Sequence, residues 1–170
     1  MNTPVSSDSK NGVTTRALNC IYEVIKIDAK KDKFGQSYRT RARSMPSTIY
    51  EIGLLSALSY LYAKATKDVF QNATKIYNSV TGEINEQTLS KQDDEKLAYA
   101  IYLKHLTEYI KDELKLEDNL KPQDEPLQLI KVLAETQERL SIAESLLKPF
   151  LIELKHLAEA TLKAEEEEEA

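Results

Sequence analysis

At 170 residues, with 41% hydrophobic and 30% charged side chains, the chain has the balance of a soluble globular domain, long enough for one core and short for two. No run approaches the roughly 18 apolar residues of a membrane span, and the opening MNTPVSSDSKNG lacks the apolar centre of a signal peptide. A single cysteine, Cys20, excludes an intramolecular disulfide and fits a reducing cytoplasm, while four glycines and five prolines are too few turn signals for an all-β fold. The expectation is a cytoplasmic, all-α, compact single-domain helical bundle of about five to seven helices. A flexible arm over 1–13, a helical domain over 14–164 and an acidic disordered tail over 165–170 complete it.

The net charge of −5 is unevenly spread. Seven basic side chains (Lys26, Lys30, Lys31, Lys33, Arg39, Arg41 and Arg43) face two acidic ones (Asp28, Asp32) between Lys26 and Arg43, a net of +5. The rest of the chain therefore carries −10, half of it in the Glu165–Glu169 run. A globally acidic protein with one concentrated basic segment has two electrostatic sides.

In chain order, a first helix is expected from a cap at Thr14 or Thr15, with Ala17, Leu18, Ile21, Val24 and Ile25 on one face, ending at Gly35. Phe34, Tyr38, Ala42 and Met45 form a helical stripe, with Arg39 and Arg43 together on the outward face and Arg41 on the other flank. Pro46 should stop or bend that helix and open the next. From Ile49 to Ala65 apolar residues and tyrosines occupy nearly the whole wheel, which predicts a buried central helix whose Gly53 lets a neighbouring backbone approach.

A short helix over Lys67–Val80 with Val69, Phe70, Ala73, Ile76 and Tyr77 on one face precedes a polar loop, TGEINEQTLSKQDDE. A longer helix follows from Asp93 to Leu114, its acidic start suited to the helix dipole. LEDNLKPQDEP reads as a linker. The last helical stretch, Leu127–Lys163, should be kinked or split by Pro149.

No constellation resembles an active site. His105 and His156 lie far apart and far from Cys20, the glycines are scattered singly, and the acidic pairs Asp93–Asp94 and Glu117–Asp118 sit at a helix start and in a linker. No metal, no cofactor and no enzymatic activity are expected. The basic segment reads either as a solvated helix face or as a phosphate-binding surface, since three arginines within five residues offer bidentate phosphate contacts. Most of the nine tyrosines fall on apolar faces, so core packing accounts for them better than stacking on bases.

The run YRTRARSMPSTIYEIGLLSALSYLYAKA, Tyr38 to Ala65, resembles the signature of the small helical subunit, the "Cmr-five" family, of type III-B CRISPR effector complexes. Met45-Pro46, Ile49, Gly53-Leu54 and Ala57-Leu58 match its apolar-proline step and following helix. LIELKHLAEA, Leu151 to Ala160, is similar to the family's C-terminal motif: Lys155 matches, whereas His156, Leu157 and Glu153 stand in place of the usual arginine, aromatic and tryptophan. The resemblance implies a non-catalytic subunit of a crRNA-guided, RNA-destroying complex, stacking with its own copies into a filament beside the larger backbone subunit. It further implies that the target RNA is held through its phosphates, and Lys33, Arg39, Arg41, Arg43, Lys155 and His156 are the RNA-binding candidates. A protein–protein scaffold without nucleic-acid contact is the alternative.

Overall fold

The computed structural model describes residues 8–116 and 125–165. Eight helices make up the described fold: α1 (Asp8–Asp28), α2 (Phe34–Ile52), α3 (Leu54–Ala65), α4 (Lys67–Ile76), α5 (Glu86–Ser90), α6 (Asp94–Glu113), α7 (Glu125–Ala134) and α8 (Gln137–Thr161). This is the expected all-α architecture with more helices than expected. The extra ones are α5, within the polar stretch taken as a loop, and a division of the C-terminal stretch into two. α1 begins at Asp8, so residues 8–13 of the expected arm are helical and Thr14 and Thr15 lie inside the helix. Residues 1–7, most of the LEDNLKPQDEP linker and the tail beyond Glu165 lie outside the described residues.

α1 ends before Gly35. The Asp28 side chain accepts a hydrogen bond from the Gly35 amide at 2.9 Å and so caps α2, and a Cβ at Gly35 would collide with that carboxylate. The predicted stripe of α2 is buried as drawn: Phe34, Tyr38, Ala42 and Met45 face the core.

Both prolines expected to break helices sit inside them, Pro46 in α2 and Pro149 in α8. An interior proline costs a helix about 3 kcal/mol. Pro149 is exposed on the solvent side of α8, where water can satisfy the carbonyl it frees. Pro46 lies between buried Met45 and half-buried Ile49, so packing on both sides holds α2 through it. The C-terminal division falls at Thr136 instead, whose hydroxyl caps α8 by accepting from the Arg139 amide at 3.2 Å.

The actual break after α2 is Gly53, with φ 83° and ψ 162°, a conformation essentially confined to glycine. Nothing lies within 4 Å of a Cβ built there, so the glycine serves backbone conformation and not close approach. Thr66, between α3 and α4, adopts φ 71° and ψ 152° without being a glycine. Three helices are thus joined through two single residues held in the same unusual region.

The expected central helix over Ile49–Ala65 is not one helix and is not fully buried, since Tyr50, Ile52 and Tyr60 are exposed. The centre is α6, where every residue from Leu97 to Thr107 is buried and which packs against α2, α3, α4, α7 and α8. Its cap is Asp93, which accepts from the Lys96 amide at 2.9 Å. Between α4 and α5, Tyr77 pairs with Ile84 as an isolated antiparallel bridge around a turn in which Asn78 accepts from the Val80 and Thr81 amides.

α6 hides its centrality behind Lys104 and His105. Both are buried against Glu23 of α1, with Lys104 Nζ donating to Oε1 at 2.8 Å and His105 Nε2 lying 3.1 Å from Oε2. His105 Nδ1 is 2.7 Å from the Tyr38 hydroxyl of α2. Burial opposes ionisation of Glu23, but His105 and Lys104 outweigh it and bring its pKa down to about 2. Burial likewise disfavours a charged His105, but its interactions with Cys20 and Glu23 prevail, pushing it up to about 10. Both nitrogens of the imidazolium then donate, to the Tyr38 oxygen and to the carboxylate.

Two predictions follow from these backbone and charge constraints. Gly53→Ala should cost about 1–3 kcal/mol by strain alone, whereas Thr66→Gly should raise thermal stability by about 1 kcal/mol; equal melting temperatures for both variants and the parent would remove this account. Glu23, depressed from 4.5 to about 2, contributes stability that is lost as pH falls through that interval. His105, raised from 6.5 to about 10, contributes stability that is full below 6.5 and lost as pH rises towards 10. Glu23→Gln should therefore lower unfolding free energy near pH 6 by about 3–5 kcal/mol, leaving two buried cations without their hydrogen-bonded carboxylate, and denaturant titrations across pH should show the alkaline decline shrink.

Candidate nucleic-acid interface

The basic segment Lys26–Arg43 does not present seven free cations. Lys26, at the end of α1, donates to the Gly82 carbonyl at 3.1 Å and lies 5.5 Å above the Tyr77 ring. Lys30 pairs with Glu86 at 3.0 Å. Lys31 pairs with Asp94 at 2.9 Å and donates to the Gln92 carbonyl, tying the α1–α2 turn to the start of α6.

Arg41 turns inward from α2. Its guanidinium donates to the Tyr99 hydroxyl and stacks 4.5 Å above the Tyr99 ring. Burial and the hydrogen bond to Tyr60 push the Tyr99 hydroxyl up to about 12, against the pull of Arg41, so it stays a neutral acceptor. The expectation that Arg41 points to the other flank and packs there agrees with this arrangement.

Three cations of the segment are left. Lys33 is exposed just ahead of α2, off the line of the two outer arginines. Arg39 is half-buried, and its buried Nε has no hydrogen-bond partner among the described residues. Arg43 is 69% exposed, with only a long 4.0 Å contact from Nε to Glu159 of α8. That contact involves an exposed guanidinium in water and contributes little.

α8 supplies the other side. Arg43 meets Glu159 at the middle of α2, while Ile49 and Gly53 at its C-terminal end share a groove with Leu147 and Glu144, so α2 and α8 run antiparallel. Half-buried Lys155 and exposed His156 lie a turn before Glu159, alongside the α2 turn that follows Arg43. Of the candidates, Arg43 is the one seen in contact across the α2–α8 seam, with Arg39 one turn before it on α2 and Lys155 and His156 one turn before its partner Glu159 on α8. Arg41 is diverted into the α2–α6 contact, and Lys33 stands apart at the helix start. Glu159 was missed by sequence reasoning; no local signal ties it to an arginine more than a hundred residues away.

Among the described residues no group of three or more His, Cys, Asp or Glu side chains is placed to hold a metal ion, and no helix is long and apolar enough to cross a membrane. A family model described as CRISPR-associated protein (Cas_Cmr5) matches residues 10–161. The chain belongs to the Cas_Cmr5 family. Comparison with curated proteins gives no match. Among solved structures, a chain of the type III-B Cmr-beta complex, determined by cryo-electron microscopy with cognate target RNA and AMPPnP bound, is similar at 21% identity and a TM-score of 0.66. The match covers 91% of this chain and 99% of that one.

In this Cas_Cmr5 chain the two motifs of the resemblance are neighbours in space. Tyr38–Ala65 spans most of α2 and all of α3, Leu151–Ala160 lies in α8, and the Arg43–Glu159 contact joins them. The pairing pattern separates structural from available cations. Lys31→Ala should destabilise the protein by about 1–3 kcal/mol, since it leaves the partly buried Gln92 carbonyl and Asp94 unpartnered. Lys33→Ala and Arg43→Ala should stay within about 0.5 kcal/mol of the parent. Thermal melts of the three variants check this, and an equal loss for all three would contradict it.

Proposed function

We propose that this chain is a non-catalytic structural subunit of a type III-B CRISPR effector complex. In this reading it stacks with copies of itself into a short filament beside the larger backbone subunit, and it contacts the target RNA strand of the crRNA-guided complex through phosphates. Family membership supports the complex, and the likeness to a chain of an RNA-bound Cmr-beta assembly supports the company it keeps.

The observation that carries RNA contact is the α2 ridge. Arg39 and Arg43, one turn apart, keep guanidinium groups that the fold does not neutralise closely, while the neighbouring Lys30, Lys31 and Arg41 are held by internal partners. Guanidinium matches phosphate bidentately and without regard to base sequence. Lys155 and His156 flank the same line, whereas Lys33 and Arg41 play a smaller part, the latter through positioning α2 against α6.

A protein–protein scaffold is the second reading, favoured by the fact that Arg43 already faces a carboxylate, Glu159. Charge reversal separates the two. Replacing Arg39 and Arg43 together with Glu should weaken target-strand binding by the assembled complex about tenfold or more, with unchanged melting temperature and unchanged subunit composition. Normal RNA binding and cleavage by that double variant would leave the ridge a solvated face. Loss of the subunit from the complex with RNA affinity otherwise intact would favour the scaffold.

A further inference from the structure

α2 carries its most conspicuous side chain outside the core. Tyr50 is 91% exposed, the highest exposure of any aromatic among the described residues. It lies eleven residues after Arg39 and seven after Arg43, which on a helix of 3.6 residues per turn places all three within about 40° of one line. The two arginines are about 6 Å apart along the axis, and Tyr50 stands about 10 Å beyond Arg43.

Beside Tyr50 a groove of about 370 Å³ runs between α2 and α8. Pro46, Ile49, Leu151 and Ile152 give it an apolar wall, with Glu144 and Lys148 at its edge. Those two charges are opposite, so the groove itself adds no net attraction for a charged peptide. The ridge it continues is cationic. A strand whose phosphates lie on Arg39 and Arg43 would bring the following bases to an aromatic ring with its faces open and an apolar slot next to it. Such a pairing of cations with an exposed ring is how single strands are held without reading their sequence.

We propose that Tyr50 and the adjoining groove form a base-stacking subsite for single-stranded RNA whose phosphates are held by Arg39 and Arg43. The inference rests on the RNA-contact reading above and adds the base to the phosphate.

The test compares two ligands of about 12 units on the full chain: oligoadenylate, and a ribose-phosphate oligomer of equal length without bases. The parent protein should bind oligoadenylate about tenfold more tightly. Tyr50→Ala should erase that preference while leaving affinity for the base-free oligomer, its salt dependence and the melting temperature unchanged, and Tyr50→Trp should keep the preference. Arg39→Glu/Arg43→Glu should weaken both ligands alike. A preference that survives in Tyr50→Ala overturns the subsite while leaving phosphate contact standing. A Tyr50→Ala variant that changes only self-association, seen by sedimentation, also overturns it and assigns the groove to protein. Parent-like binding of both ligands by the arginine double variant defeats the phosphate reading itself.

Discussion

The position of every surface discussed above depends on one buried charge cluster. Glu23 of α1, Tyr38 of α2 and Lys104 with His105 of α6 meet where three helices converge, and each partner is buried. Lys104 and His105 share the one Glu23 carboxylate, and His105 also donates to the Tyr38 hydroxyl, so none of the three helices can rotate or slide without stranding a charge. Buried ion pairs are weak contributors to net stability but costly to break, which makes them fixers of geometry. By holding Tyr38 inward, the cluster leaves Arg43 and Tyr50 on the outward side of α2, with Arg39 half-buried at its flank.

Around that cluster the packing is ordinary and strong. Tyr109 of α6 stacks on Phe150 of α8 with ring centroids 4.1 Å apart, and Tyr38 meets Tyr102 edge-on at 5.7 Å. α8 packs along both α1 and α2, so the C-terminal motif is seated on the same helices that the cluster fixes. The seam between α2 and α8 then exposes cations from two parts of the chain separated by more than a hundred residues. A Cas_Cmr5 chain that contacts a strand along this seam needs no active site, only a rigid helix pair with a charged outer edge.

Local pattern made much of this legible before the fold was known. The stripe Phe34–Tyr38–Ala42–Met45 and the acidic helix start at Asp93–Asp94 follow from helical period and helix-end chemistry, and both are present. Of the arginines expected to face outward together, Arg43 is exposed and Arg39 is half-buried. What the pattern could not convey was long-range compensation. Lys104 and His105 read as polar positions because their partner, Glu23, is about eighty residues away, and so the central helix was assigned to the more apolar Ile49–Ala65 stretch. Lys30, Lys31 and Arg41 looked available because Glu86, Asp94 and Tyr99 lie far along the chain. Pro46 and Pro149 misled for a related reason: packing and solvent access, not the residue alone, decide whether a proline ends a helix. Gly53 was singled out correctly, but for its space when its backbone angle was the constraint.

The central claim is that the folded protein leaves a small set of uncompensated cations along one seam, and that these meet phosphates. The salt dependence of single-stranded RNA binding by the full chain tests it most directly. For two to four phosphate contacts, a plot of log affinity against log salt concentration should fall with a slope between about −1.4 and −2.8. A flat line, or no binding at low salt, would contradict the claim.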